Sequence, residues 1–436
     1  MNNAITELIE VQNSVLFKNA RVIDPSVNLN KKADVFVENG EIKEIGNVSE
    51  KDFNGRVIDC SGKSIVPGLF DMHVHFREPG YEGAETLQSG VNAATAAGFT
   101  GVAVMPNTNP ACDNRGQVEY INERTRDLIV DVHPIGAVTK NREGKELTEM
   151  ADMADAGAVA FSDDGVSVKN AVILRNAIEY STMIGKIIID HCEDPYLAQD
   201  GVMNESFVST QLGMKGIPSI SEEIVVARDI AVAEYIDKPV HLAHISTEES
   251  IRLIRDAKKR GVKVTAETCP HYLLLTDEEV KSFDPNFKMN PPLRTEKDRL
   301  TIIEAVKDGT IDVIVTDHAP HTVERNDQEF NAAAFGIIGL ETAVGVLLTH
   351  LVQKNIISFE DFVRLYSINP RKILGLKEVN IKKGEPANLS IIDPEKEWTV
   401  DKELFFSKSR NTPFDGWKLK GKAVGLYNKN KLYYSE

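Results

Sequence analysis

The sequence predicts an α/β protein: a (β/α)8 barrel with a small β-sandwich domain formed by both chain ends. Three observations carry this. Eight apolar runs of strand length alternate with helix-length segments between residues 68 and 381, the pattern of a parallel sheet. The stretches before and after read as strands alone. Residues able to hold a metal recur where the eight runs end, the edge on which such barrels carry their chemistry.

Residues 1–13 read as a short polar extension. Strand-like runs follow at 15–18, 33–38, 41–45, 56–60 and 64–66. Asn39-Gly40 joins two of them as a hairpin, because both residues tolerate positive φ. Residues 1–67 are thus expected to form the N-terminal part of the small β domain. The barrel runs are 70–76, 101–105, 130–138, 158–161, 187–190, 240–245, 262–266 and 313–316. Segments between them show helical spacing, as at Ile251, Ile254 and Ala257. An open doubly wound sheet is the alternative, but no G-x-G-x-x-G follows the first run. The barrel is expected over 68–381, and 382–436, with strand patterns at 387–393 and 418–434, returns to the small domain.

Composition narrows the class. The 436 residues are 42% hydrophobic and 27% charged, ordinary for a soluble globular chain. A net charge of −16 argues against nucleic acid or an anionic membrane as partner. It leaves an anionic substrate open, since a local Arg or metal overrides the global field. Cys60, Cys112, Cys192 and Cys269 are scattered and form no C-x-x-C pair, which fits a reducing cytoplasm. Acidic Glu7 and Glu10, with no long apolar run, argue against a signal peptide. The most apolar helix candidate, 342–352, is too short to span a bilayer.

The chemistry starts at residues 70–77. Read as a strand, they place Asp71, His73, His75 and Arg77 on one face and Phe70, Met72, Val74 and Phe76 on the other. Two neutral imidazoles so spaced can grip a divalent metal, typically Zn²⁺ at about 2.0–2.1 Å. The plainer reading is a half-exposed strand, but polar-out alternation favours Thr, Lys and Glu over paired His. Other run ends add Asn107, Asp163, Asp164, His191, His244, Asp317 and His321. This nitrogen and oxygen set, with a carboxylate free to bridge, suits two Zn²⁺ ions about 3.5–4 Å apart sharing a hydroxide. Singly, Asp163 and Asp164 before Gly165 also read as turn residues. His191 and His244 also read as core histidines, the class given to His133, His241, His271, His318 and His350. Cys192 reads as a buried thiol facing the helix layer, with an inward swing onto a metal as the alternative. Recurrence at five of eight run ends outweighs these separate readings.

With Asp71-x-His73-x-His75-x-Arg77 stand Met105-Pro106-Asn107-Thr108 and Phe161-Ser162-Asp163-Asp164-Gly165. Asn290-Pro291-Pro292-Leu293-Arg294 and Thr316-Asp317-His318-Ala319-Pro320-His321 complete the set. On these motifs the chain, from about residue 15 to 436, resembles the dihydroorotases of the amidohydrolase superfamily, in their longer bacterial class (type I). The resemblance implies one zinc on His73, His75 and Asp317 and a second on His191 and His244. Asp164 would bridge them, with Asp163 as the fallback. It implies Asp317 as general base and then acid. Substrate contacts would come from His75, Arg77, Asn107, Asn290, His321 and the Phe335-Gly336 backbone. The implied reaction interconverts N-carbamoyl-L-aspartate with L-dihydroorotate and water in pyrimidine biosynthesis. A homodimer, and an association with an aspartate transcarbamoylase, are also implied. One departure is visible: where the family pattern has a lysine five residues after His321, this chain has Asn326, with Arg325 beside it. Two alternatives remain. A hydantoinase, dihydropyrimidinase or allantoinase would carry a bridging lysine at strand four, which is absent. A non-catalytic scaffold would have lost ligands, and all six positions are filled.

Overall fold

The computed structural model describes residues 5, 10–49 and 53–435. The two ends of the chain meet in one sheet. From the N-terminal side come β1 (Glu10–Val11), β2 (Ser14–Asp24), β3 (Leu29–Glu38), β4 (Glu41–Gly46), β5 (Arg56–Asp59) and β6 (Ser64–Pro67). Asn39 and Gly40 turn the β3–β4 hairpin with φ of 51° and 76°, a turn matched to the strands' right-handed twist. From the C-terminal side come β16 (Leu389–Thr399), β17 (Lys418–Asn428) and β18 (Lys431–Tyr434). β16 pairs antiparallel with β6, Ile391 facing Ile65, and this register joins the two ends. Alternate residues of these strands, among them Val15, Phe17, Val35, Val37, Ile65, Leu389 and Ile391, form a second core separate from the barrel's.

The polar extension expected at 1–13 is corrected where it can be seen. Ile5 is helical, fully buried and part of the barrel's core. Glu10 pairs with Leu432. The rest of that expectation, Glu7 included, falls at 1–4 and 6–9, outside the described residues.

The barrel begins at β7 (Leu69–Val74) and continues with β8 (Phe99–Val104) and β9 (Asp131–Pro134), all parallel. The fourth position is a single residue, Phe161, bridged in parallel to Gly136 and to Ile188. β10 (Ile189–Asp190) follows, then a two-stranded ribbon of β11 (Met203–Asn204) and β12 (Gly216–Ile217) lying off the barrel. β13 (Val240–Leu242), β14 (Val264–Thr268) and β15 (Val313–Ile314) carry the parallel order onward. A parallel bridge from Val74 to His318 closes the ring. All eight predicted runs therefore take part. The 130–138 run is regular only over β9, and beyond it Ile135 N and Gly136 N still donate to Val104 O and Ala160 O.

The outer helices follow the expected logic. Glu248–Lys259 buries Ile251, Ile254 and Ala257, is capped by Thr247, and sets Glu248 and Glu249 at its positive end and Lys258 and Lys259 at its negative end. Among the described residues no helix is long and apolar enough to cross a membrane. All four cysteines are buried and free.

Candidate active site

Alternation on β7 sends His73 into the barrel, where it is fully buried. Its Nδ1 lies 2.6 Å from Glu267 Oε1 on β14. That bond fixes the ring so that Nε2 faces the strands' C-terminal ends, 3.3 Å from Asp164 and 3.6 Å from Asp317. His75, just past the strand, is held by Nδ1 2.8 Å from Asn107 Oδ1 and presents Nε2 to Asp317 Oδ1 at 2.9 Å. On the opposite wall His191 Nδ1 and His244 Nε2 approach to 2.9 Å. Both are aimed at Asp164 Oδ1, 3.7 and 3.6 Å away. Asp164 thus lies within 4 Å of all four imidazoles: its Oδ2 is 3.6 Å from His75 Nε2.

Asp163 is occupied elsewhere. It accepts from the backbone N–H groups of Val138 and Thr139 and from the Thr139 hydroxyl. Asp163 also closes a turn by accepting from Val166 N, and Asp164, the next residue in that turn, faces the histidines.

The charges around His73 are unbalanced. Burial opposes a proton on His73, yet Glu267, Asp164 and Asp317 together raise its pKa well above the ordinary range. Burial likewise works against the Asp164 carboxylate, and the surrounding histidines more than offset it. Glu267 is brought down to about 2 against its own burial by His73 and His241. The centre therefore demands positive charge, which a proton or a divalent cation supplies.

The residues fit a metal. His73 Nε2 and Asp164 Oδ1 are buried without a hydrogen-bond partner, and a buried polar atom left so is costly unless a ligand completes it. The groups His73–His75–Asp317 and His73–Asp164–His244 each bring one ligand atom per residue within 4.8 Å of the others. His244 and Asp317 also hold left-handed backbone, φ 33° and 47°, strain that persists at functional sites.

A chamber of about 220 Å³ opens over this centre. His75, Arg77, Asn107, Asp164, His191, His244, Asn290, Asp317, Phe335 and Gly336 line it. His321 lies off the chamber, in the wider vestibule above. Its Nε2 is 2.6 Å from Phe335 O, so it braces that backbone. Gly336 N donates to Lys288 O, which leaves less of the Phe335-Gly336 backbone free for a ligand than the motif implies. Gly336 has φ 116°, and a Cβ there would stand 2.7 Å from Ala319 Cβ, so only glycine fits. Arg77 donates through Nε to Pro320 O at 3.2 Å, and no ion pair of its guanidinium is found among the described residues.

His241, placed with the core histidines, donates to Glu267 at 3.0 Å and so stands two bonds from the centre. Glu267 was missed by sequence reasoning. It lies on β14 (Val264–Thr268), one residue past the run expected at 262–266. Glu267→Gln keeps the shape but offers an NH₂ to one of its three donors. Zinc affinity in a chelator titration is expected to fall about 10–100-fold; an unchanged titration would leave Glu267 a mere filler. Cys192 lies on the far side of its strand. It packs with Asp190 and Asp229, its Sγ 3.5 Å from Asp190 O, and burial raises its pKa well above the ordinary range. The inward swing has no support here.

Known proteins match this picture. A family model described as "Dihydro-orotase-like" matches residues 62–250. A dihydroorotase of Acetivibrio thermocellus is 49% identical over 93% of this chain and 96% of its own. One of Syntrophus aciditrophicus is 47% identical over 97% and 99%. The chain belongs to the dihydroorotase family. Solved structures similar in fold include an L-hydantoinase from Arthrobacter aurescens, with TM-score 0.86, 24% identity and coverage of 97% and 96%. A dihydropyrimidinase from Brevibacillus agri has TM-score 0.83, 20% identity and coverage of 97% and 95%. At these identities the likeness speaks for the barrel and its flanking sheet. At the end of the fourth run this chain has Asp163-Asp164 and no lysine.

Proposed function

We propose that this chain is a dihydroorotase that interconverts L-dihydroorotate and water with N-carbamoyl-L-aspartate. The observation that carries the reading is the position of Asp164 among four histidines, beside a chamber whose free guanidinium, Arg77, suits a carboxylate. The curated relatives support it over nearly the full length of the chain.

His73, His75 and Asp317 would hold one Zn²⁺, His191 and His244 a second, with Asp164 shared. Two ions so held would bring the pKa of a water toward about 7 and polarise a carbonyl. Arg77 grips the ring carboxylate, its two terminal N–H groups matching the planar anion. Asn290, whose buried Oδ1 lacks a partner, faces the ring from the other side of the chamber. Asn107 holds His75 in place, so its part in binding is partly indirect. Water adds to the ring carbonyl next to the nitrogen that leaves. Asp317 accepts the water's proton, the C–N bond breaks, and Asp317 returns the proton to that nitrogen. Burial alone would raise the Asp317 pKa, but the adjacent histidines hold it well below the carboxylate range. It therefore starts the cycle as a base. Run backwards, the same groups close the ring.

We further propose a cytoplasmic location, a role in pyrimidine synthesis, a homodimer and an association with an aspartate transcarbamoylase, the readings that the family resemblance implies. The division into 1–67, 68–381 and 382–436 remains the domain assignment we favour, with the first and last parts as one unit.

Turnover of dihydroorotate against dihydrouracil and hydantoin tests the reading. Dihydrouracil lacks the carboxylate and should be turned over negligibly. Comparable efficiency on both rings would move the assignment to dihydropyrimidinase. Arg77→Lys keeps the charge but loses the fork. Its KM for dihydroorotate should rise about tenfold with zinc content unchanged, the size of one lost charge-assisted bond. A KM that does not move would remove Arg77 from the binding wall.

A further inference from the structure

Above the inner chamber lies a vestibule of about 420 Å³. Its walls include Arg77, Arg142 and Arg325, with Tyr81, Asn107 and His321, and no Asp or Glu among the described residues. In a chain of net charge −16 this is a local reversal of sign. Arg77 and Asn107 line both spaces, so the vestibule leads directly into the chamber.

Neither outer guanidinium has an ion pair with a carboxylate among the described residues. Arg142 donates through Nη1 to Asp164 O at 2.6 Å, while its Nε is buried without a partner. The turn that presents it is built at some cost: Asn141 and Arg142 both hold left-handed backbone, φ 52° and 57°. Asn141 N is anchored on Asp113 and Thr139 N on Asp163. No hydrogen bond or ion pair of the Arg325 side chain is found among the described residues. Its neighbour Asn326, at the position where the family pattern has lysine, donates instead to Asn286 at 3.2 Å. Three like charges kept together and unpaired demand an anion.

We infer that Arg142 and Arg325, with Arg77 beneath them, form an outer anion subsite that captures the carboxylates of the substrate at the mouth of the active site. The ligand class is a small carboxylate: the dianion N-carbamoyl-aspartate on the way to ring closure, the monoanion dihydroorotate on the way to opening. The identity of the ligands rests on the dihydroorotase reading; the anion subsite rests on the arginines.

Arg325 is exposed and structurally uncommitted, so it is the residue to change. In the zinc-loaded full-length enzyme at low ionic strength, Arg325→Glu should raise KM about tenfold in both directions with kcat unchanged, as loss of uniform binding does. The factor must match in the two directions, because one equilibrium constant links them. The wild-type KM should rise with added salt, and the variant's should not. Arg325→Lys should return KM to within about threefold of wild type, since the charge is kept. A KM for Arg325→Glu within twofold of wild type, or an undiminished salt dependence, overturns the subsite. If the wild type does not turn over dihydroorotate, the functional reading fails by itself. Calorimetric binding of N-carbamoyl-aspartate to wild type and Arg325→Glu then decides: tenfold weakening supports the subsite, and equal affinity overturns it.

Discussion

Asp164→Ala is expected to abolish turnover, by about a thousandfold or more, and to leave the protein unable to hold a full complement of metal. Outer partners of a metal ligand typically cost 10–100-fold when lost, and a shared ligand costs more. Here the loss falls on four histidines at once, because Asp164 is the residue to which each is turned. Without its negative charge, two cations would face one another across neutral rings. Asp163→Ala should fail differently. It strands three donors that Asp163 now satisfies, Val138 N, Thr139 N and the Thr139 hydroxyl. Stability should fall by roughly 2–3 kcal/mol, with most of the metal retained in the fraction that folds. Metal content by mass spectrometry, denaturation midpoints and turnover separate the two. A reversed order would mean that the two aspartates exchange roles.

Asp317→Asn is expected to lower kcat by about a thousandfold in both directions, within the range for a lost general base. Asn keeps an oxygen toward His75 but cannot take up a proton. KM should change little, because substrate is gripped elsewhere. Zinc should largely remain on His73 and His75. A kcat within tenfold of wild type would take the proton-transfer role away from Asp317.

The paired histidines were legible because a strand repeats every two residues, and two imidazoles at that spacing have few other reasons to share a face. The choice between Asp163 and Asp164 was not legible. It depends on the phase of a strand that survives as Phe161 alone, too short for a pattern to set the phase. Glu267 sat one residue past the expected run at 262–266, where alternation was no longer being counted. His241 was indistinguishable from a core histidine until Glu267 stood beside it. Arg142 was passed over because Asn141 and Gly144 mark a turn there but say nothing of which side chain it presents. His321 was found by motif, and the motif could not show that one ring nitrogen is occupied by Phe335 O. The barrel itself was the easiest part, because buried parallel strands read as unbroken apolar runs.

The pairing of β6 with β16 also has a meaning in time. During synthesis β1 to β6 emerge before the barrel, and the edge of β6 that will receive Ile391 stays bare until the barrel strands have been made. An open edge is a template for wrong partners. The ribosome therefore carries a half-finished sheet through the entire production of the barrel. Ser390 Oγ, which accepts from Leu69 N and donates to Gly98 O, can tie the first barrel strands to the sheet only after the last strands arrive. The sheet is complete only when β16, β17 and β18 join the strands that precede the barrel in sequence.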